Sequence, residues 1–300
     1  MTALVIGEAL VDVVESATGR DSHPGGSPAN VALGLARLGR PVTLATRLAD
    51  DAAGRAVVAH LAASGVALAP GSRTAARTSV ATARLDAAGV ATYEFDLAWD
   101  WPGDDLGRPL VVHTGSIAAV LEPGAGAVAA AVAALRPTAT ITYDPNLRPS
   151  LMPPPEVTRP VVEALVALAD VVKVSDEDLA WLAPGEDPLD VLRRWLATGP
   201  AVAVLTRGGA GATALTHDGR RLDVVAPRVE VADTVGAGDS FMGGLIDGLW
   251  SADLLGAGRR EALRTAGDKL LMRVLERSAR IAAITVSRPG ANPPTSQELA

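Results

Sequence analysis

Asp233-Thr-Val-Gly-Ala-Gly-Asp-Ser-Phe-Met-Gly-Gly-Leu-Ile246 is the stretch that decides how this chain is read. Gly236, Ala237 and Gly238 form a small-residue turn that feeds an apolar helical run. A helix N-terminus presents unpaired N–H groups and the positive end of its dipole. Small residues there let backbone approach an anion closely, so the turn is a candidate phosphate cradle. Asp239 follows in the first helical turn. A carboxylate beside an anion site repels phosphate unless it has another task, and general base for an attacking hydroxyl is such a task. Taken alone, the turn is equally a tight connection and Asp239 a routine stabiliser of the helix end.

Outward from this segment the chain alternates strand and helix, which predicts a mostly parallel sheet covered on both faces. Apolar runs at 3–7, 11–14, 42–47, 110–113, 138–143, 171–174 and 201–206 read as strands. Ser27 is expected to cap a helix with Pro28 at its first position and Gly39 at its end. Asp50 or Asp51 caps a second, and two long helices are expected over 237–250 and 259–281. Residues 78–85 and 90–95 flank Asp86-Ala-Ala-Gly89 with no helix between them, a β-hairpin in an otherwise alternating chain. It reads as a lid or as a plain edge hairpin. A second hairpin is expected over 212–225 around Asp218-Gly219.

Composition excludes several chemistries. The chain has 300 residues, 48% of them hydrophobic, so it can bury a large core. A net charge of −7 argues against a nucleic-acid partner. There is no cysteine, hence no disulfide, zinc–thiolate site or cysteine nucleophile. Lys173 and Lys269 are the only lysines and neither follows a glycine, so a Walker P-loop is absent. Phe241 breaks a dinucleotide fingerprint, and Ala29 breaks a serine-hydrolase elbow in Gly25-Gly-Ser-Pro-Ala29. The four histidines show no metal-ligand spacing. No membrane-length apolar run or secretory leader is evident, so a cytoplasmic location is expected.

The segment Asp233–Gly244 resembles the C-terminal signature of the ribokinase (phosphofructokinase-B type) family of carbohydrate kinases. Gly25-Gly-Ser-Pro-Ala-Asn-Val-Ala-Leu-Gly-Leu-Ala-Arg-Leu-Gly39 resembles its N-terminal signature, some two hundred residues earlier. The resemblance spans essentially the whole chain. It implies a ribokinase-like α/β three-layer sandwich in one domain over 1–300, with a β lid from about 10–24 and 73–101.

By the same resemblance, Asp239 takes a proton from a sugar hydroxyl that attacks the γ-phosphoryl of ATP. Gly236, Ala237 and Gly238 form the anion hole. Asp12, Gly25, Gly26 and Asn30 hold the sugar, and Arg148, in Asp144-Pro-Asn-Leu-Arg148, can pair with phosphate. Tyr93, Phe95 and Trp99 offer an apolar wall, or simply pack the hairpin. Ser175-Asp-Glu-Asp178 stands where the family has N-x-x-E, with Asp178, or Glu177 in competition, linked to Mg²⁺. Thr206, Arg207, Gly208, Gly209 and Gly211 match the nucleotide loop, and Asn292 the region beside adenine. Backbone carbonyls of Asp233 and Val235 match a monovalent-cation site, commonly potassium. GEALVDVV, DPNLRP, VKVSDEDL and SRPGANPP resemble bacterial fructokinases, which implies fructose as substrate. Ribose, 2-keto-3-deoxygluconate and a nucleoside are the alternatives, and a catalytically silent binder is a remoter one. An exposed hairpin edge also offers a surface for a homodimer.

Overall fold

The computed structural model describes residues 1–16, 19–85, 91–101, 103 and 106–299. In chain order the strands and helices are β1 (Ala3–Ile6), β2 (Leu10–Ser16), β3 (Gly19–Gly25), α1 (Ser27–Arg37), β4 (Val42–Ala45), α2 (Ala52–Ala62) and β5 (Ala67–Leu68). Next come β6 (Val80–Leu85), β7 (Ala91–Asp96), β8 (Val111–Gly115), α3 (Gly124–Leu135), β9 (Thr140–Asp144), α4 (Pro155–Leu168) and β10 (Val171–Ser175). The chain continues through α5 (Asp176–Leu182), α6 (Pro188–Leu196), β11 (Val202–Thr206), β12 (Ala212–Thr216), β13 (Arg221–Val224), α7 (Ala237–Ser251), α8 (Arg260–Arg264) and α9 (Asp268–Val286).

Nine strands form one sheet in the order β13-β12-β11-β10-β9-β8-β1-β4-β5. From β11 to β5 every pairing is parallel. β12 and β13 close one edge as an antiparallel hairpin whose register runs from Ala212↔Val224 to Leu215↔Arg221. Successive strand side chains point to opposite faces, and the two cores follow from that alternation. Val5, Val171 and Val204 pack with Val31 and Leu35 of α1, Leu245 and Leu249 of α7 and Val274 of α9. Leu4, Ile6, Val172, Val174 and Leu205 face the other way, onto α3 to α6. This is the three-layer α/β arrangement expected. Among the described residues no helix is long and apolar enough to cross a membrane.

A second sheet of four strands has the order β3-β2-β6-β7. β2 pairs parallel to β6, while β2–β3 and β6–β7 are antiparallel. The expected turn at Asp86–Gly89 lies outside the described residues.

Two local expectations fail, each for a backbone reason. Gly26, not Ser27, is the N-cap of α1; its φ of 103° suits glycine, and Ser27 is the first helical residue with no capping bond. The single helix expected over 259–281 is two: α8 ends at Arg264, Gly267 is extended at φ −74°, ψ 154°, and α9 restarts at Asp268 and runs to Val286. Glycine's low helix propensity places the break. Of the two candidate caps for α2 it is Asp51 that accepts the Gly54 N–H, at 2.7 Å.

Candidate active site

The C-terminal ends of the parallel strands are where ligands bind in open α/β sheets. Here Ser116, Asn146, Ser175 and Thr206, at or just after the ends of β8, β9, β10 and β11, line a cleft of about 1010 Å³. The small sheet overhangs it with Asp12 of β2, Ala81 of β6 and Phe95 of β7. From the other side α7 delivers its first turn, Ala237, Gly238 and Asp239.

Asp239 is the third residue of α7 and only 6% exposed. Ser27 Oγ donates to its Oδ1 at 2.6 Å and Asn30 Nδ2 donates to its Oδ2 at 2.8 Å. Asn146 Nδ2 adds a longer bond to Oδ1 at 3.4 Å. The two N-terminal donors sit in the first turn of α1, which packs against α7. Residues more than two hundred positions apart thus aim one carboxylate into the cleft.

Gly236 caps α7 in the left-handed conformation, φ 75°. A Cβ there would stand 2.7 Å from Ala291 Cβ, so the position excludes any side chain. Asp233 fastens the same turn: its Oδ1 accepts from Val235 N at 3.0 Å and its Oδ2 from Gly290 N at 2.9 Å. Val235 borders the cleft, while the Asp233 side chain faces the turn.

The remaining expected residues divide. Gly26 and Arg148 line the cleft, and Gly25 lies behind Asp12, whose carboxylate a Cβ would strike. Arg148 Nη1 donates to Asn146 Oδ1 at 2.8 Å, and its charge acts on Asp12 and Glu8. Thr206, Gly208, Gly209 and Gly211 line the cleft; Arg207 is outside that lining. Ser175 caps α5 in a reciprocal box with Asp178. Both Asp178 oxygens are committed, to Leu147 N at 2.7 Å and Ser175 N at 3.1 Å, while Glu177 is exposed at the cleft wall. Asn292 is drawn away from the lining, accepting from Arg37 Nη1 at 2.5 Å. Trp99 is buried in the core, stacked on Trp101 with its Nε1 donating to Ala118 O, so it is no wall of the cleft. Tyr93 lies on β7 and its side chain is outside the described residues.

Sequence reasoning gave no site role to Ser27, Glu8, Asn146 or Lys173. Glu8 is buried at the floor; burial pushes its carboxyl up to about 7, against the pull of Ser116, Ala118 N and Arg148. Lys173 is 2% exposed and donates to Asp144 Oδ2 at 2.7 Å. A lone lysine inside Val171-Val-Lys-Val174 is the one sequence signal among them, because apolar strands rarely carry an unpaired charge. Among the described residues no cluster of three or more metal-ligating side chains occurs.

Similarity to known proteins agrees with this geometry. The model for pfkB family carbohydrate kinase matches residues 2–298. A fructokinase of Klebsiella pneumoniae is 36% identical over 258 residues, 82% of this chain and 83% of its own. A fructokinase of Rhizobium leguminosarum bv. trifolii is 33% identical over 268 residues, 84% and 81%. Among solved structures, fructokinase from Xylella fastidiosa with bound ATP has a TM-score of 0.84 at 25% identity, covering 99% of this chain and 97% of its own. Aminoimidazole riboside kinase from Salmonella enterica has a TM-score of 0.81 at 26% identity, covering 100% and 98%. A match over nearly the whole length, on a sheet whose strand ends meet a small-residue helix head bearing one carboxylate, means that the chain belongs to the pfkB family of carbohydrate kinases.

Proposed function

We propose that this sugar kinase is an ATP-dependent fructokinase, passing the γ-phosphoryl of ATP to the primary 6-hydroxyl of D-fructose. The observation that carries the chemistry is Asp239, held by Ser27 and Asn30 at the head of α7 beside Gly236–Gly238. Asp239 accepts the hydroxyl proton as the oxygen bonds to the γ-phosphorus and the bond to the ADP oxygen breaks. A positioned base contributes about 10²–10⁴-fold. The N–H groups of the first turn of α7 meet the charge that develops on the transferring group, where one preorganised donor is worth about 10²–10³-fold. Asp12 and Asn30, with Phe95 beside them, form the sugar end; the Gly208–Gly211 loop forms the nucleotide end.

Mg²⁺ fits this site as an ion carried on the ATP phosphates, where it would neutralise their charge. Asp178, with both oxygens on backbone N–H groups, suits contact through water, and Glu177 is the open carboxylate beside it. A potassium ion on the carbonyls of Asp233 and Val235 belongs to the same proposal, the Asp233 carboxylate folding that turn. The small sheet acts as the lid, and its edge strands β3 and β7 are the surface for a homodimer. The working compartment is the cytoplasm, where ATP is available.

Fructose is favoured over other acceptors because relatives at 33–36% identity over more than four-fifths of the chain are fructokinases. A riboside is the second reading, from the aminoimidazole riboside kinase likeness. Sugar-dependent ADP release should be measured across fructose, ribose, 2-keto-3-deoxygluconate, adenosine, aminoimidazole riboside and fructose 6-phosphate. Fructose is expected to give the highest kcat/KM; a ribose or riboside maximum overturns the fructose assignment.

A further inference from the structure

Lys173 interrupts an apolar strand and lies at the floor of the cleft, directly beneath the head of α7. The position where Gly238 would carry a Cβ is 2.9 Å from Lys173 Nζ, so the ammonium stands immediately behind the anion-hole backbone. One of its three donors is spent on Asp144 Oδ2. The other Asp144 oxygen is buried with no partner, so the pair is not a saturated structural plug. Three carboxylates bear on the ammonium, those of Asp144, Asp178 and Asp239, and together they hold Lys173 protonated against its burial. His113, buried within β8, adds no second cation: burial and the Lys173 charge push it down to about 3, and its Nδ1 lies 3.1 Å from Thr142 Oγ1.

Beneath the head of α7 one fixed cation, Lys173, therefore faces three acidic side chains, at the place where a phosphoryl group must arrive with further negative charge. Phosphoryl transfer depends on positioning and charge stabilisation more than on covalent chemistry. Replacing a buried ion pair by well-packed apolar side chains is often neutral or stabilising; this pair retains spare donors beneath an anion hole.

We propose that Lys173 supplies the fixed positive charge of the transfer site, its ammonium acting through the Gly238 backbone on the charge that develops on the transferring group. Asp144 holds the ammonium in place, which makes Lys173 a positioning and charge-stabilising residue of the reaction. The inference rests on the kinase reading above.

The test compares Asp144→Asn with the double variant Lys173→Met/Asp144→Asn. Asp144 is neutral in both, so the ratio of their turnovers reads the loss of the ammonium without leaving Asp144 as an unpaired buried carboxylate. The expected result is a kcat about 10²-fold lower in the double variant. Fructose affinity by calorimetry should stay within about threefold and melting temperature within a few degrees, a kcat-against-KM split that a purely structural lysine would not produce. Should the methionine fail to fold, Lys173→Gln on the Asp144→Asn background makes the same comparison with a polar side chain. Equal turnover in the two variants, whether both are high or both low, overturns the inference. Wild-type turnover in the same assay judges the kinase reading separately: a wild type without sugar-dependent ADP release sinks that reading, whereas an active wild type with equal variants sinks only this one.

Discussion

Replacing Asp239 by asparagine removes the base while sparing nearly all of its surroundings. The wild-type carboxylate takes two short bonds, from Ser27 Oγ at 2.6 Å and Asn30 Nδ2 at 2.8 Å. In the variant one oxygen becomes NH₂: the Asn30 amide can turn its oxygen toward that NH₂ while Ser27 keeps donating to the remaining oxygen, so both contacts survive in neutral form. Hydrogen bonds to a charged group contribute about 1.5–3 kcal/mol and neutral ones about 0.5–1.5, so the exchange costs about 2 kcal/mol. Relief of burying an ionised carboxylate offsets part of that. A chain of this length has an unfolding entropy near 0.6 kcal/mol/K, so the melting temperature should fall by no more than about 3 °C. Turnover should fall by about 10²–10⁴-fold, or about 2.7–5.5 kcal/mol of barrier. Activity loss therefore dominates stability loss. The assay is coupled ADP release with saturating sugar and ATP, alongside melting curves and calorimetric titration with fructose. A folded variant that binds fructose and turns over within tenfold of wild type would refute the general-base assignment.

Other consequences can be measured. Glu8 is raised by burial to about 7 from an ordinary 4.5, so its neutral form suits the native state. Its contribution to stability is fully present below about pH 4.5 and is lost as pH rises through about 7, by about 3 kcal/mol or some 5 °C in melting temperature. Glu8→Gln should flatten that slope; parallel melting-temperature profiles for variant and wild type over pH 4.5–8 would show that Glu8 does not cause it. Gly236→Ala forces a side chain into a left-handed residue 2.7 Å from Ala291 Cβ. It should cost about 1–3 kcal/mol of stability and lower kcat by about 10²-fold through a displaced anion hole. A crystal structure of that variant with an undisturbed turn and normal kcat would contradict this.

What could be read in the sequence was local. The turn at 236–238 is legible as a candidate anion site from its small residues and following acid, but on those residues alone it is equally a tight connection and the family resemblance decides it. The sheet is legible because its strands alternate with helices. The hairpin over 212–225 was legible from Asp218-Gly219, where the strands pair as expected. What escaped reading depends on pairings far apart in the chain. Ser27 looked like a cap; Gly26 takes that place, and the hydroxyl instead meets a carboxylate 212 positions away. Lys173 becomes part of the floor only because β9 and β10 are neighbours and α7 ends above them. The family resemblance points Asn292 toward adenine, and nothing local in the sequence reveals that Arg37 holds it. The break at Gly267 outweighs the helix-favouring residues on both sides of it.

The joint between the small sheet and α1 has one further consequence. β3 ends at Gly25 and α1 begins at Ser27, leaving Gly26 as the only residue between them. Ser27 and Asn30, just past that joint, supply the two short hydrogen bonds to the Asp239 carboxylate. The overhanging sheet and the base are therefore geared together with a single residue of slack. Any displacement of β3 relative to α1 would have to be absorbed at Gly26 or passed to the first turn of α1, where the donors to the Asp239 carboxylate stand.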